Sequence, residues 1–160
     1  MNEKITKDIV ILYHAECGDG FGAAWAAWKK FGDEAEYIPV TLGKYPDNFT
    51  NKTIYTLDLT LPKEITEKLL KINKRLTSID HHISAKEVIE MTKDYSFDNN
   101  HSGAVLAWKY FHPEKSIPKL LLFIEDADIW KWEYKETNDF IASLALYNFD
   151  FETWNKISSD

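Results

Sequence analysis

The first apolar run, Ile9-Val10-Ile11-Leu12-Tyr13, is rich in β-branched residues and has no polar alternation. That is the pattern of a strand covered on both faces, as in a parallel sheet, and it ends at His14. After Gly18-Asp19-Gly20, the segment Phe21 to Phe31 spaces Phe21, Trp25 and Trp28 at i, i+4 and i+7 among alanines, with Gly32 as its C-cap. This predicts a helix lying close on the sheet. The alternation then recurs. Tyr37 to Val40 reads as an edge strand, and Thr53 to Leu57 as a central one ending at Asp58. Thr60 is placed to cap the next helix, with Pro62 in its first turn and Ile65, Leu69 and Ile72 on its buried stripe. Leu76 to Ile79 is another short strand, ending at Asp80. The second half reads as helical: Ser102 to Phe111, Leu120 to Asp128 and Phe140 to Tyr147. Strands alternating with helices of this length predict an α/β fold, doubly wound, with a mostly parallel sheet flanked by helices and a helical C-terminal half.

Composition narrows the class. At 160 residues, 44% hydrophobic and 14% aromatic, the chain can bury a substantial core. With 19 basic residues against 26 acidic, its formal charge of -7 repels long polyanions, which excludes general coating of duplex nucleic acid. One cysteine cannot form an internal disulfide, and Ile9 to Leu12 is too short for a signal peptide or a membrane span. The expectation is a soluble, cytoplasmic protein with no membrane partner. All six glycines lie at or before Gly103, and no repeat or linker interrupts the sequence, so residues 1–160 read as one domain.

Chemistry gathers where buried strands end: His14 to Asp19 after the first, Asp58 after a later one, and Asp80-His81-His82 after the next. In a parallel sheet the carboxyl ends of the strands share one edge, so these groups converge on a single crevice. Carboxylates brought together raise one another's pKa unless a counter-charge is supplied, and a divalent cation supplies it. Carboxylate oxygens mixed with imidazole favour Mn²⁺ or Mg²⁺, with Zn²⁺ or Fe²⁺ open, over sites built mainly from thiolate. Cys17 admits three readings: a small buried residue, a metal thiolate or a covalent nucleophile. The last is disfavoured because a Cys-x5-Arg phosphatase loop needs arginine where Ala23 stands, and Arg75 is the chain's only arginine.

In order, His14-Ala15-Glu16-Cys17-Gly18-Asp19-Gly20, Asp58, Asp80-His81-His82 and Asp126 resemble the successive motifs of the DHH phosphoesterase family, over about Ile9 to Trp132. The resemblance implies two Mn²⁺ ions and hydrolysis of phosphoester bonds in small nucleotides or short single-stranded oligonucleotides. It also implies roles: His14 and Asp19 as ligands of different ions, Asp58 bridging them, His81 and Asp126 completing the second site, and His82 on the phosphate, with Asp80 orienting an imidazole. Cys17 stands where the family's first motif usually has an aspartate, which makes it a candidate ligand. Family members usually continue into a C-terminal substrate-gripping domain with a glycine-rich motif that this sequence lacks. Either a partner, such as a second copy, supplies that surface, or the chain is a fragment or minimal form.

Other positions keep two readings. His101-Ser102-Gly103 opens a helix, with Ser102 as N-cap or all three as a phosphate-binding turn. Spacing does not decide between Asp126 and Asp128, although Asp126 fits the family's last motif better. Trp130, Trp132 and Tyr134 alternate as packing residues or as a stacking face. The expected function is that of a metal-dependent phosphodiesterase or phosphomonoesterase. The alternatives are a non-catalytic nucleotide-binding or interaction module, and a pyrophosphatase or polyphosphatase.

Overall fold

The computed structural model describes residues 5–159 and has an α/β architecture. Five parallel strands, β1 (Ile9–His14), β2 (Ala35–Val40), β3 (Thr53–Leu57), β4 (Arg75–Asp80) and β5 (Asp94–Phe97), form one sheet in the order β2-β1-β3-β4-β5. Around it lie α1 (Gly18–Phe31), α2 (Lys63–Ile72), the short α3 (Lys86–Ile89), α4 (Gly103–Phe111), α5 (Lys119–Asp128), α6 (Thr137–Leu144) and α7 (Phe151–Ser159). The last four make the C-terminal half helical. Among the described residues, no helix is long and apolar enough to cross a membrane.

The unbroken apolar run of β1 is explained by its two neighbours above and below. Ile11 and Tyr13 join a large core with α1, α4, α5 and α7, while Val10 and Leu12 join a smaller one with Phe49, Leu59 and Leu69 of α2. A strand covered on both faces has no position where a polar side chain would meet water. The alanines of α1 serve the same compactness. Ala23, Ala24, Ala26 and Ala27 are buried, Gly22 faces Ala104 of α4, and Trp25 stacks on Trp108 of that helix at 5.6 Å.

Differences from the sequence reading have local causes. Helix α1 begins at Gly18, so Asp19 lies in its first turn. Thr60 does not cap α2, whose N-cap is Pro62; its hydroxyl instead donates to Asp80 Oδ2 at 2.7 Å. Strand β5 was not anticipated: Asp-Tyr-Ser-Phe is a short, polar edge strand with one neighbour, and it carries no hydrophobic signature. Helix α6 starts three residues earlier than Phe140, at Thr137, which Asp126 anchors. Helix α7 was also missed. It docks by burying Trp154 edge-on against Phe21 at 4.8 Å, and Phe21 also stacks on Phe149 and Phe151.

This aromatic cluster fastens the C-terminal helix to the first one, and its removal should be felt globally. Trp154→Ala is expected to lower unfolding free energy by about 3–5 kcal/mol in a denaturant titration. A loss below about 1 kcal/mol would show that α7 contributes little to the fold.

Candidate metal centre

Strand order reverses direction between β1 and β3, since β2 lies on one side of β1 and β3 on the other. In open α/β sheets the carboxyl ends of the strands at such a point leave a crevice. His14 ends β1 and Asp58 follows β3 there, while Asp80-His81-His82 closes β4 alongside.

Asp58 lies at the middle of the cluster. Its backbone has φ of 50°, a left-handed conformation that aspartate tolerates better than most residues, and its N–H donates to Ile79 O at 2.9 Å. The carboxylate is 3% exposed and presents one oxygen to each side. Oδ2 lies 3.5 Å from His14 Nδ1 and 3.8 Å from Cys17 Sγ; Oδ1 is buried and lies 3.2 Å from His81 Nε2, with no other polar partner among the described residues. His81 Nε2 is also 3.5 Å from Asp19 Oδ2 and 3.6 Å from Asp128 Oδ2. Three overlapping donor sets result, each compact enough to hold a metal ion: His14, Cys17 and Asp58 on one side, Asp19, His81 and Asp128 on the other, and Asp58, Asp80, His81 and His82 beside them.

Asp19 is aimed by α4. Its two oxygens accept from Gly103 N at 2.7 Å and Ala104 N at 2.8 Å, so the first turn of α4 holds the side chain in one orientation. Close approach there requires glycine: a Cβ on Gly103 would fall 2.6 Å from Asp58 Cβ, and one on Gly20 would fall 2.2 Å from His14 O.

Charge in the crevice is unbalanced. Burial pushes the Asp19 carboxyl up, and the Asp58 and Asp128 charges push it further. Asp128 is likewise raised, by burial and then by Asp58. Burial also opposes ionisation of Asp58, but His14 and His81 outweigh it and hold that carboxyl below the usual range. His81 would be lowered by burial; the Asp58 hydrogen bond and the Asp19, Asp58 and Asp128 charges instead raise it to about 9. Burial lifts the Cys17 thiol to about 11. Protonated imidazole is thus the cation these carboxylates hold when no other is present.

His82 joins the cluster through Asp80. Its Nδ1 is 2.7 Å from Asp80 Oδ1, while the other Asp80 oxygen takes the Thr60 hydroxyl. Asp80 Oδ1 also accepts the His81 N–H at 2.7 Å, so this buried carboxylate ties down both histidines.

Of the expected site residues, His14, Cys17, Asp19, Asp58 and His81 converge, with Asp80 and His82 beside them. Asp126 does not. It is buried, and its oxygens are taken by Glu133 N, Tyr134 N and the Thr137 hydroxyl, so it organises the loop after α5. The acid that α5 gives the cluster is Asp128. At His101-Ser102-Gly103 the structure shows the N-cap, the first of the two readings. Ser102 is a buried N-cap accepting from Val105 N, Gly103 is packed behind Asp19 and Asp58, and His101 is held by Glu125 at 3.0 Å and Lys109 at 2.8 Å. No signal in the sequence singled out Asp128, since Glu125, Asp126 and Asp128 all lie in the last turn of α5.

A larger open cleft of about 730 Å³ lies at the opposite edge of the sheet, near the starts of β4 and β5. Its Arg75 is paired with Asp94 and its Lys74 with Asp8, and it shares no residue with the donor cluster.

No family model matches the chain. An uncharacterized protein of Acanthamoeba polyphaga mimivirus is 32% identical to it over 163 aligned positions, covering 91% of this chain and 39% of that protein. The chain therefore spans about two fifths of the length of this curated relative. The crystal structure of an uncharacterized protein from Helicobacter pylori G27 superposes with a TM-score of 0.61 at 19% identity, over 79% of this chain and 45% of that one. The likeness is one of fold.

Two measurements follow from this geometry. Without divalent ions, His81 contributes stability that is complete below its ordinary pKa of 6.5 and is lost as pH rises through about 9. His14 and His82, also raised by their carboxylate partners, act with the same sign. The melting temperature of chelator-treated protein should therefore fall between pH 6.5 and 9.5, and a flat or rising profile would refute the ion-pair description. Separately, Asp128→Asn should weaken divalent-ion uptake in calorimetric titration with little loss of stability. Asp126→Ala should do the reverse, costing about 1–3 kcal/mol through its orphaned donors. Equal effects of the two changes on ion uptake would contradict the assignment.

Proposed function

We propose that the chain is a divalent-metal-dependent phosphoesterase, a phosphodiesterase or phosphomonoesterase acting on small nucleotides or short single-stranded oligonucleotides. One observation carries the reading: the two oxygens of the buried Asp58 face different donor sets, as a carboxylate shared by two cations must. The order of sequence motifs resembling DHH phosphoesterases supports it independently. His14, Cys17 and Asp58 would hold one ion, and Asp58, Asp19, His81 and Asp128 the other. Mn²⁺ suits this mixture of carboxylate and imidazole, with Mg²⁺, Zn²⁺ or Fe²⁺ as alternatives. When bound, such a pair of ions supplies Lewis acidity to phosphoryl oxygens and lowers the pKa of water.

The protein's own groups have distinct tasks. Asp80, itself fixed by Thr60, orients the His82 ring through Nδ1 and raises its affinity for a proton, so His82 is suited to donate a hydrogen bond to a phosphoryl oxygen as charge builds there. His82 is exposed, as Asp128 is, so a substrate arriving from solvent would meet it. The N-terminus of α4 keeps Asp19 from swinging away when the balance of charge changes.

The test is hydrolysis of bis(p-nitrophenyl) phosphate with added Mn²⁺. Asp58→Asn, which keeps the shape of the side chain but removes its charge, should lower kcat/KM by about 100-fold or more and reduce bound metal, with circular dichroism unchanged. Near-normal turnover by this variant would sink the shared-carboxylate reading.

A further inference from the structure

A cavity of about 320 Å³ opens directly beside the donor cluster. One end is lined by Cys17, Asp19 and Asp128, residues of the cluster itself. The remainder is apolar and built by two helices presenting the same spacing. Helix α5 gives Ile124 and Ala127 on the face that also carries Asp128, and α6 with its C-cap gives Ile141, Leu144 and Ala145. Phe149 completes the lining; its ring is stacked on Phe21 at 5.1 Å, yet the residue remains 47% exposed. The charged groups here are acids, and among the described residues no lysine, arginine or histidine lines the cavity.

We infer that this cavity is a subsite for an uncharged, planar ring of a phosphate ester whose phosphoryl group lies at the donor cluster, a nucleobase or aryl group being the fitting chemistry. The inference rests on the phosphoesterase reading and adds what that reading lacks, a basis for choosing among substrates. The volume falls at the small end of ligand pockets, which combine an apolar lining with a few polar groups at one end. A second phosphate placed in the apolar part of this cavity, beyond the donor cluster, would meet only Ile, Leu, Ala and Phe side chains with no group to offset its charge, so pyrophosphate and polyphosphate are disfavoured there. A ring gains instead from burial against Ile141 and Leu144 and from contact with the fixed Phe149 ring. Placement of α6 is thereby tied to selectivity, since Asp126 anchors its first residue through Thr137.

Two experiments together separate failure of this subsite from failure of the phosphoesterase reading. In the first, kcat/KM with Mn²⁺ is measured for an aryl phosphodiester and for its methyl counterpart, in the native protein and in Ala145→Trp, a change at an exposed position that fills the cavity mouth. The aryl-to-methyl ratio is expected to fall by about tenfold or more; a ratio within about twofold of native overturns the subsite. In the second, which needs neither turnover nor the variant, methyl resonances of Ile124, Ile141 and Leu144 are followed in Mg²⁺-containing native protein as adenosine 5′-monophosphate or ribose 5-phosphate is added. Shifts with the adenine compound that the sugar phosphate does not produce support the subsite, and equal or absent shifts overturn it. Ring-dependent shifts without hydrolysis of any ester would retire the phosphoesterase reading and keep the cavity. Hydrolysis with neither ring-dependent shifts nor a changed ratio would keep the phosphoesterase and remove the cavity.

Discussion

Two carboxylates, Asp19 and Asp58, are buried side by side where the sheet changes winding direction, and much of the structure can be understood as accommodating them. Neither can reach water, and each raises the cost of ionising the other. The fold answers with three kinds of positive potential. The amides opening α4 are aimed at Asp19, imidazoles approach Asp58 from both sides, and the space between is arranged so that further cations would meet ready-made donors. Gly20 and Gly103 belong to the same accommodation, because only a residue without Cβ lets α1 and α4 come so close to the strand ends. Replacing the acids by apolar residues would relieve this cost, so their presence is better explained by what they hold than by what they stabilise.

The groups around the acids are fixed by a further layer of polar contacts. Asp80 holds two histidines and is held by Thr60, while Ser102 and His101 both lean on Glu125. Glu125 also takes Lys131, linking the start of α4 to the loop after α5. Each of these carboxylates is buried with its partners in place, which restricts the ring and backbone orientations available near the crevice. Through Asp126 the same loop is tied to α6. Trp130 and Trp132 adopt positive φ within it, a costly conformation for aromatic residues that the surrounding bonds keep in place.

Strand β1 was legible in the sequence because it is covered on both faces and so carries no polar residue before His14; β3 and β4 keep Thr56, Thr77 and Ser78, buried and with Thr56 bonded to Ser78, and were legible as short runs of β-branched residues ending in an acid. Their polar terminal residues stood out for the complementary reason, and this exposed most of the metal-competent set. Edge strand β5 stayed hidden, since a four-residue strand with a single neighbour needs no apolar code. Helix α7 stayed hidden because its docking depends on Trp154 meeting Phe21, a pairing of residues far apart in sequence. On α5, Asp126 and Asp128 differ by two positions, which on a helix places them on different sides. A one-dimensional motif ranks them by similarity; the helical twist sends one to the loop and the other to the crevice.

Helix α5 consequently joins three tasks in ten residues. Asp128 faces the donor cluster, Ile124 and Ala127 line the cavity, and Glu125 and Asp126 fix the segments that bound it. Such concentration restricts how the helix can shift: a small rotation would move the acid away from His81 and open or close the cavity at once. The placement of the Asp128 donor and the shape of the adjoining cavity are therefore mechanically coupled through α5, whereas His14 and Cys17 reach Asp58 from the β1 end and do not depend on it. The His14 and Asp128 sets are unequal in this respect. The His14 side is built on a strand end and a short turn, whereas the Asp128 side rests on a helix whose position is set by the loop that follows it. Differences between the two sides in ion affinity, or in response to a ligand in the cavity, would arise from that asymmetry of support as well as from the softer thiol that Cys17 offers on the His14 side.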